Sequence, residues 1–66
     1  MTENAYLFNC FDLHTGQQDC CFYGKGCTEE EARSSAKIPV RYEVNEVFVL
    51  CAVDEIPEEA RSELFN

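Results

Sequence analysis

The sequence predicts an α+β domain in which two antiparallel hairpins form a four-stranded sheet (ββαββ), with one packed helix and a short C-terminal helix. Three observations predict it. Aromatic and β-branched residues alternate over 5–23 and again over 40–53, a capped helical stretch lies between them, and proline or glycine punctuates the boundaries. At 66 residues the chain is read as one domain, 1–66. At the usual scaling its stability falls at about 3–10 kcal/mol.

The first strand is expected over 5–13, Ala-Tyr-Leu-Phe-Asn-Cys-Phe-Asp-Leu. His14-Thr15-Gly16 follows as a turn in which glycine accepts a positive φ, and Gln17 to Tyr23 returns as the second strand. With Leu13 opposite Gln17, Cys10 meets Cys20 and Phe8 meets Phe22. That register gathers Tyr6, Phe8, Cys10, Cys20 and Phe22 on a core side. Gly24-Lys25-Gly26 is expected to end the strand.

Thr28-Glu29-Glu30-Glu31 has the form of a capping box, so a helix is expected over 29–37, stopped by Pro39. In 40–53 the apolar positions run Val40, Tyr42, Val44, then Val47, Val49, Cys51 and Val53. The change of phase around Asn45-Glu46 reads as the turn of a second hairpin, its core side covered by Ala32 and Ala36 of the helix. Pro57 suits the first turn of a helix over 57–64, where Ile56, Ala60 and Leu64 recur every fourth residue. In this arrangement the far side of the sheet carries Leu7, Asn9, Phe11, Asp19, Cys21 and Tyr23, with Arg41, Glu43, Phe48 and Leu50. That is more apolar surface than scattered exposed residues explain. The C-terminal helix, a second copy or a partner would cover it.

Thirteen acids against five bases give a net charge of −8. Such a surface repels nucleic acid and anionic membrane and attracts basic proteins, so direct nucleic-acid or membrane binding is not expected. The start, Met1-Thr2-Glu3-Asn4, has no basic flank of an export signal, and a cytoplasmic location is expected with the five cysteines as reduced thiols. Adjacent strand residues such as Cys20 and Cys21 point to opposite faces and cannot share one ion, so no metal and no cofactor is expected. His14, the single histidine, reads as a solvated turn residue, and no catalytic residues are assigned. The domain is not expected to be an enzyme. Acids at the starts of helices complement the helix dipole, yet Asp54, Glu55, Glu58, Glu59 and Glu63 form a surplus. Carboxylates and aromatics together give the expected partner-binding residues: Phe11, Asp19, Tyr23, Glu29, Glu30, Glu43, Phe48, Asp54, Glu55, Glu58 and Glu59.

Two resemblances accompany this reading. The stretch from Asp12-Leu13 through Cys20-Cys21, Gly26 and Thr28-Glu29-Glu30-Glu31-Ala32, a hairpin leading into a glycine and an acidic capped helix, resembles the antitoxins of the HicB family, without their proline-bearing turn. In size, charge and ββαββ order the chain is also similar to the small acidic proteins that phages use against host defences, anti-CRISPR proteins included. The second resemblance implies an inhibitor that occupies a basic nucleic-acid-binding surface of a CRISPR-type complex in the host cytoplasm. The rival expectation, from the apolar sheet face, is an antitoxin-like or accessory regulatory subunit that self-associates through that face. Monomer and homodimer both remain open.

Overall fold

The computed structural model describes residues 2–65. Its order is β1 (Asn4–Asp12), β2 (Cys20–Gly26), α1 (Glu29–Ala36), β3 (Tyr42–Ala52), a 3-10 turn over Val53–Glu55, and α2 (Glu58–Leu64). The sheet has three antiparallel-paired strands in the order β2-β1-β3. Because β2 and β3 both run antiparallel to β1, they are parallel to each other. The connection β2-α1-β3 is therefore a β-α-β crossover split by the first strand.

This corrects the expected four-stranded ββαββ sheet. The residues read as a second hairpin form one strand that passes straight through Asn45-Glu46. Asn9 pairs with Glu46 and Cys10 with Val44, so Asn45 is an extra residue opposite that step of β1. A bulge shifts the alternation by one position, which is the same phase change a two-residue turn produces. A second extra residue, Leu50, lies between the pairs Tyr6–Val49 and Ala5–Cys51. Consequently Cys51 sits on the side opposite the expected core. Val49 keeps its expected side, opposite Tyr6, yet is 62% exposed, and Val40, before the strand, is 97% exposed.

The first hairpin pairs in the expected register, with Cys10 opposite Cys20 and Phe8 opposite Phe22. Gly16 takes a φ of 80° in the turn. Gly24-Lys25-Gly26 does not end β2 but belongs to it, for a steric reason. A Cβ on Gly24 would come within 2.0 Å of the Ala32 carbonyl oxygen, and one on Gly26 within 2.6 Å of the Glu31 Cβ. Side chains removed at these positions let α1 settle against β2, rather than against β3 as Ala32 and Ala36 were expected to do. The core on that side is Tyr6, Phe8, Cys10 and Ala32, flanked by Cys20, Phe22, Ile38, Tyr42, Val44 and Val47. Phe22 and Tyr42 meet edge to face at 4.9 Å between centroids.

Thr28 caps α1 as expected, its hydroxyl accepting from the Glu31 amide at 3.2 Å, while the Glu31 carboxylate accepts from the Cys27 amide at 2.8 Å. Lys37 closes the helix in the left-handed region at φ 54°. α2 starts one residue later than expected, with Pro57 as its N-cap. No helix is long and apolar enough to cross a membrane among the described residues.

Candidate functional site

The sheet face turned away from α1 is only partly covered. Ala5, on that face, is fully buried, and Lys25 beside it reaches the ring of Phe65 at 5.7 Å. The C-terminal segment thus shields the end of the face where β1 begins. Further along, Tyr23, Leu7 and Phe48 line up across the three strands, then Cys21, Asn9 and Glu46, then Phe11 beside Glu43. Phe48 is 45% and Leu50 47% exposed, and Leu7, Phe11 and Tyr23 are half-buried. Asp19 joins this surface because Asn9 Nδ2 donates to its Oδ1 at 3.3 Å. Of the expected binding residues, Phe11, Asp19, Tyr23, Glu43 and Phe48 are therefore brought together.

The remaining six form a second group. Asn4 pairs with both Gly26 and Ala52, so the segments that follow β2 and β3 leave the sheet at the same end. Glu29 and Glu30 open α1 there, while Asp54 and Glu55 occupy the 3-10 turn and Glu58 and Glu59 the first turn of α2, all exposed. Carboxylates far apart in sequence become an acidic end of the molecule. Glu29 and Glu30 stand on the helix layer behind the sheet and do not share a surface with Phe11 and Phe48. Glu29 also meets Arg33 at 3.6 Å, an exposed pair of small energetic weight.

Two residues of this landscape escaped the sequence reading. The alternation of the sequence reads Glu46 as a turn residue, whereas the bulge at Asn45 places it on the face beside Asn9. Asp12 is buried at the opposite end, where its Oδ1 accepts from the amides of His14 at 2.8 Å and Thr15 at 3.2 Å, and its Oδ2 lies 3.4 Å from Arg41. Burial works to raise the Asp12 pKa, but the hydrogen bonds from His14 and Thr15 and the charge of Arg41 outweigh it and hold the carboxyl below its ordinary value. A carboxylate before a turn is a recognisable signal for such capping, though its ion pair with a distant arginine is not.

Burial, and then the neighbouring Cys20 and Cys21, push the Cys10 thiol up, away from the reactive thiolate form. All five cysteines are unbonded. Among the described residues no three of His, Cys, Asp and Glu gather as metal ligands. A cleft of about 290 Å³ opens where the β2 edge meets the ends of α1 and α2, lined by Cys21, Phe22, Tyr23, Ser35, Lys37 and Phe65 among others, with no carboxylate or imidazole among its described lining residues.

Fold and surface define a small acidic α+β domain with a split β-α-β crossover, one sheet face closed by a helix and the other half open. No family model, curated protein or solved structure matches the chain.

Proposed function

We propose that this protein is a binding inhibitor that occupies a basic, nucleic-acid-binding surface of another protein or complex, the CRISPR-type complexes of bacterial defence being the first candidates. The supporting observation is the half-open sheet face, where Phe11, Tyr23 and Phe48 stand among Asp19, Glu43 and Glu46. Lys25 is the cation on those strands' outward side, and it is occupied by Phe65. Carboxylates around such a face speed encounter with a basic groove, and desolvated aromatic rings supply most of the holding energy. The resemblance to phage inhibitors contributes only size and charge, since the ββαββ order is not the order found.

Size limits the imitation. The longest dimension is 35 Å, a length over which duplex DNA carries about 20 phosphates at roughly one per 1.7 Å. The face carboxylates imitate a few of these. The occupied surface is accordingly a short groove or a single-strand channel. Binding to purified effector complexes, measured at about 0.05 and about 0.3 M salt, tests the reading. Affinity is expected to fall with salt and to be lost in the Asp19→Lys/Glu43→Lys variant. Failure to bind any basic nucleic-acid-binding complex at the lower salt overturns it.

Exposure of Phe48 and Leu50 favours a second reading, a self-associating accessory or antitoxin-like subunit. Eight net negative charges on each copy oppose it. Sedimentation separates the two readings, because a tight dimer at micromolar concentration supports the accessory role.

A further inference from the structure

β3 is an edge strand, and the register shows which of its backbone groups are unclaimed. Leu13 donates its amide to the Arg41 carbonyl at 2.8 Å, and Val53 donates to the Glu3 carbonyl at 2.9 Å. Odd-numbered residues of β1 therefore turn their backbone toward β3, and their partners Glu43, Glu46, Phe48 and Cys51 turn theirs back. Asp12, an even residue, donates instead toward β2, at Gln17. Val47 and Val49 then point their N–H and C=O groups out of the sheet. Natural edges are guarded by lysine, proline, inward charge or bulges. From Val47 to Val53 this edge has no lysine, proline or charge, and its single guard is the bulge at Leu50, beyond Val47 and Val49. Val49 is 62% exposed.

Charge frames this edge. Glu43 and Glu46 stand at one end of the uncharged run, and Asp54 and Glu55 at the other. We propose that an extended cationic segment of the partner adds to β3 as a fourth strand, pairing its backbone with Val47 and Val49 and placing Lys or Arg side chains against the acids at both ends. This rests on the reading that the partner is basic, and it supplies the mode of recognition. Main-chain pairing gives affinity in such complexes and the flanking charges select the peptide. A second copy fits poorly. Each copy carries a net charge of −8 and has acids at both ends of this edge, so two such edges brought together repel.

The probe is a synthetic nine-residue peptide with two lysines at each end of a Val-Thr-Val-Thr-Val core, titrated into the whole protein. Binding is expected to weaken with salt and to protect the amides of Val47 and Val49 from hydrogen exchange. Methylating alternate peptide nitrogens removes two or more backbone bonds and is expected to weaken binding by about tenfold or more. Val49→Pro, its fold verified by circular dichroism, is expected to do the same, because the amide it removes is not used by β1. Equal binding of the methylated peptide overturns the inference, as does equal binding of a peptide flanked by glutamates. Protection that grows with protein concentration in the absence of peptide also overturns it, in favour of a second copy. If the peptide fails while basic complexes still bind in an Asp19- and Glu43-dependent manner, strand addition is wrong and the proposed function stands. If neither binds, both fall.

Discussion

At the scale of single residues, absence of a side chain is as consequential as presence. Gly24 lies under α1 so closely that Gly24→Ala has no room to be accommodated by a rotamer change, since the nearest atom is the backbone oxygen of Ala32. The substitution is expected to cost about 3 kcal/mol or more in chemical denaturation, a large share of what a domain of this size has. Asp12 acts in the opposite way, through a charge that is held. Because its folded pKa is depressed, its contribution is fully present above the ordinary aspartate value of about 3.9 and is lost as pH falls through the folded value. Asp12→Asn is therefore expected to be less stable than the parent at neutral pH, with the gap narrowing in acid. Denaturant midpoints measured between about pH 7 and about pH 2 check this. Neither role was legible from composition. Gly24 and Gly26 look like punctuation until a helix is placed above them, and an aspartate before a turn looks solvated until Arg41 is brought to it.

At the scale of elements, local signals were legible and long-range ones were not. The Cys10–Cys20 and Phe8–Phe22 register and the Thr28 cap are decided by residues close in sequence, and they stand as read. The strand β3 is decided by its pairing with β1, most of the chain away. A phase change between Val44 and Val47 is compatible with a turn or a bulge, and Asn45-Glu46 contains no glycine to favour the turn. The first hairpin's face residues are untouched by this difference, and of those expected from 40–53 Glu43 and Phe48 keep the same side in either arrangement, whereas Glu46 and Cys51 change theirs. Deleting Asn45 discriminates sharply. In a hairpin it would remove half the turn, but in the bulged strand it restores simple alternation and leaves every other side chain on its face. The deleted protein is expected to keep a single cooperative unfolding transition and a near-parental circular dichroism spectrum.

At the scale of the whole molecule, net charge works against compactness. The acidic end gathers Glu29, Glu30, Asp54 and Glu55 through the shared pairing of Asn4, with few cations to answer them. Raising salt from about 0.01 to about 0.15 M shortens the screening length from about 30 to about 8 Å. The free protein's melting temperature is expected to rise over that range even as its hold on a basic partner loosens. Opposite responses of stability and affinity to one variable are a signature that calorimetry and binding measurements can record on the same preparation.

The split crossover also sets an order of events in time. β1 can close on β2 through a short turn as soon as both have left the ribosome, but its other side waits until Val44–Ala52 has been synthesised, after the helix. Closing that longer loop carries the greater entropic cost and comes late. Val47→Ala is accordingly expected to speed unfolding while leaving the refolding rate nearly unchanged, whereas Phe8→Ala slows refolding as well. Until β3 arrives, the young chain exposes the seam of β1 that its own last strand will occupy.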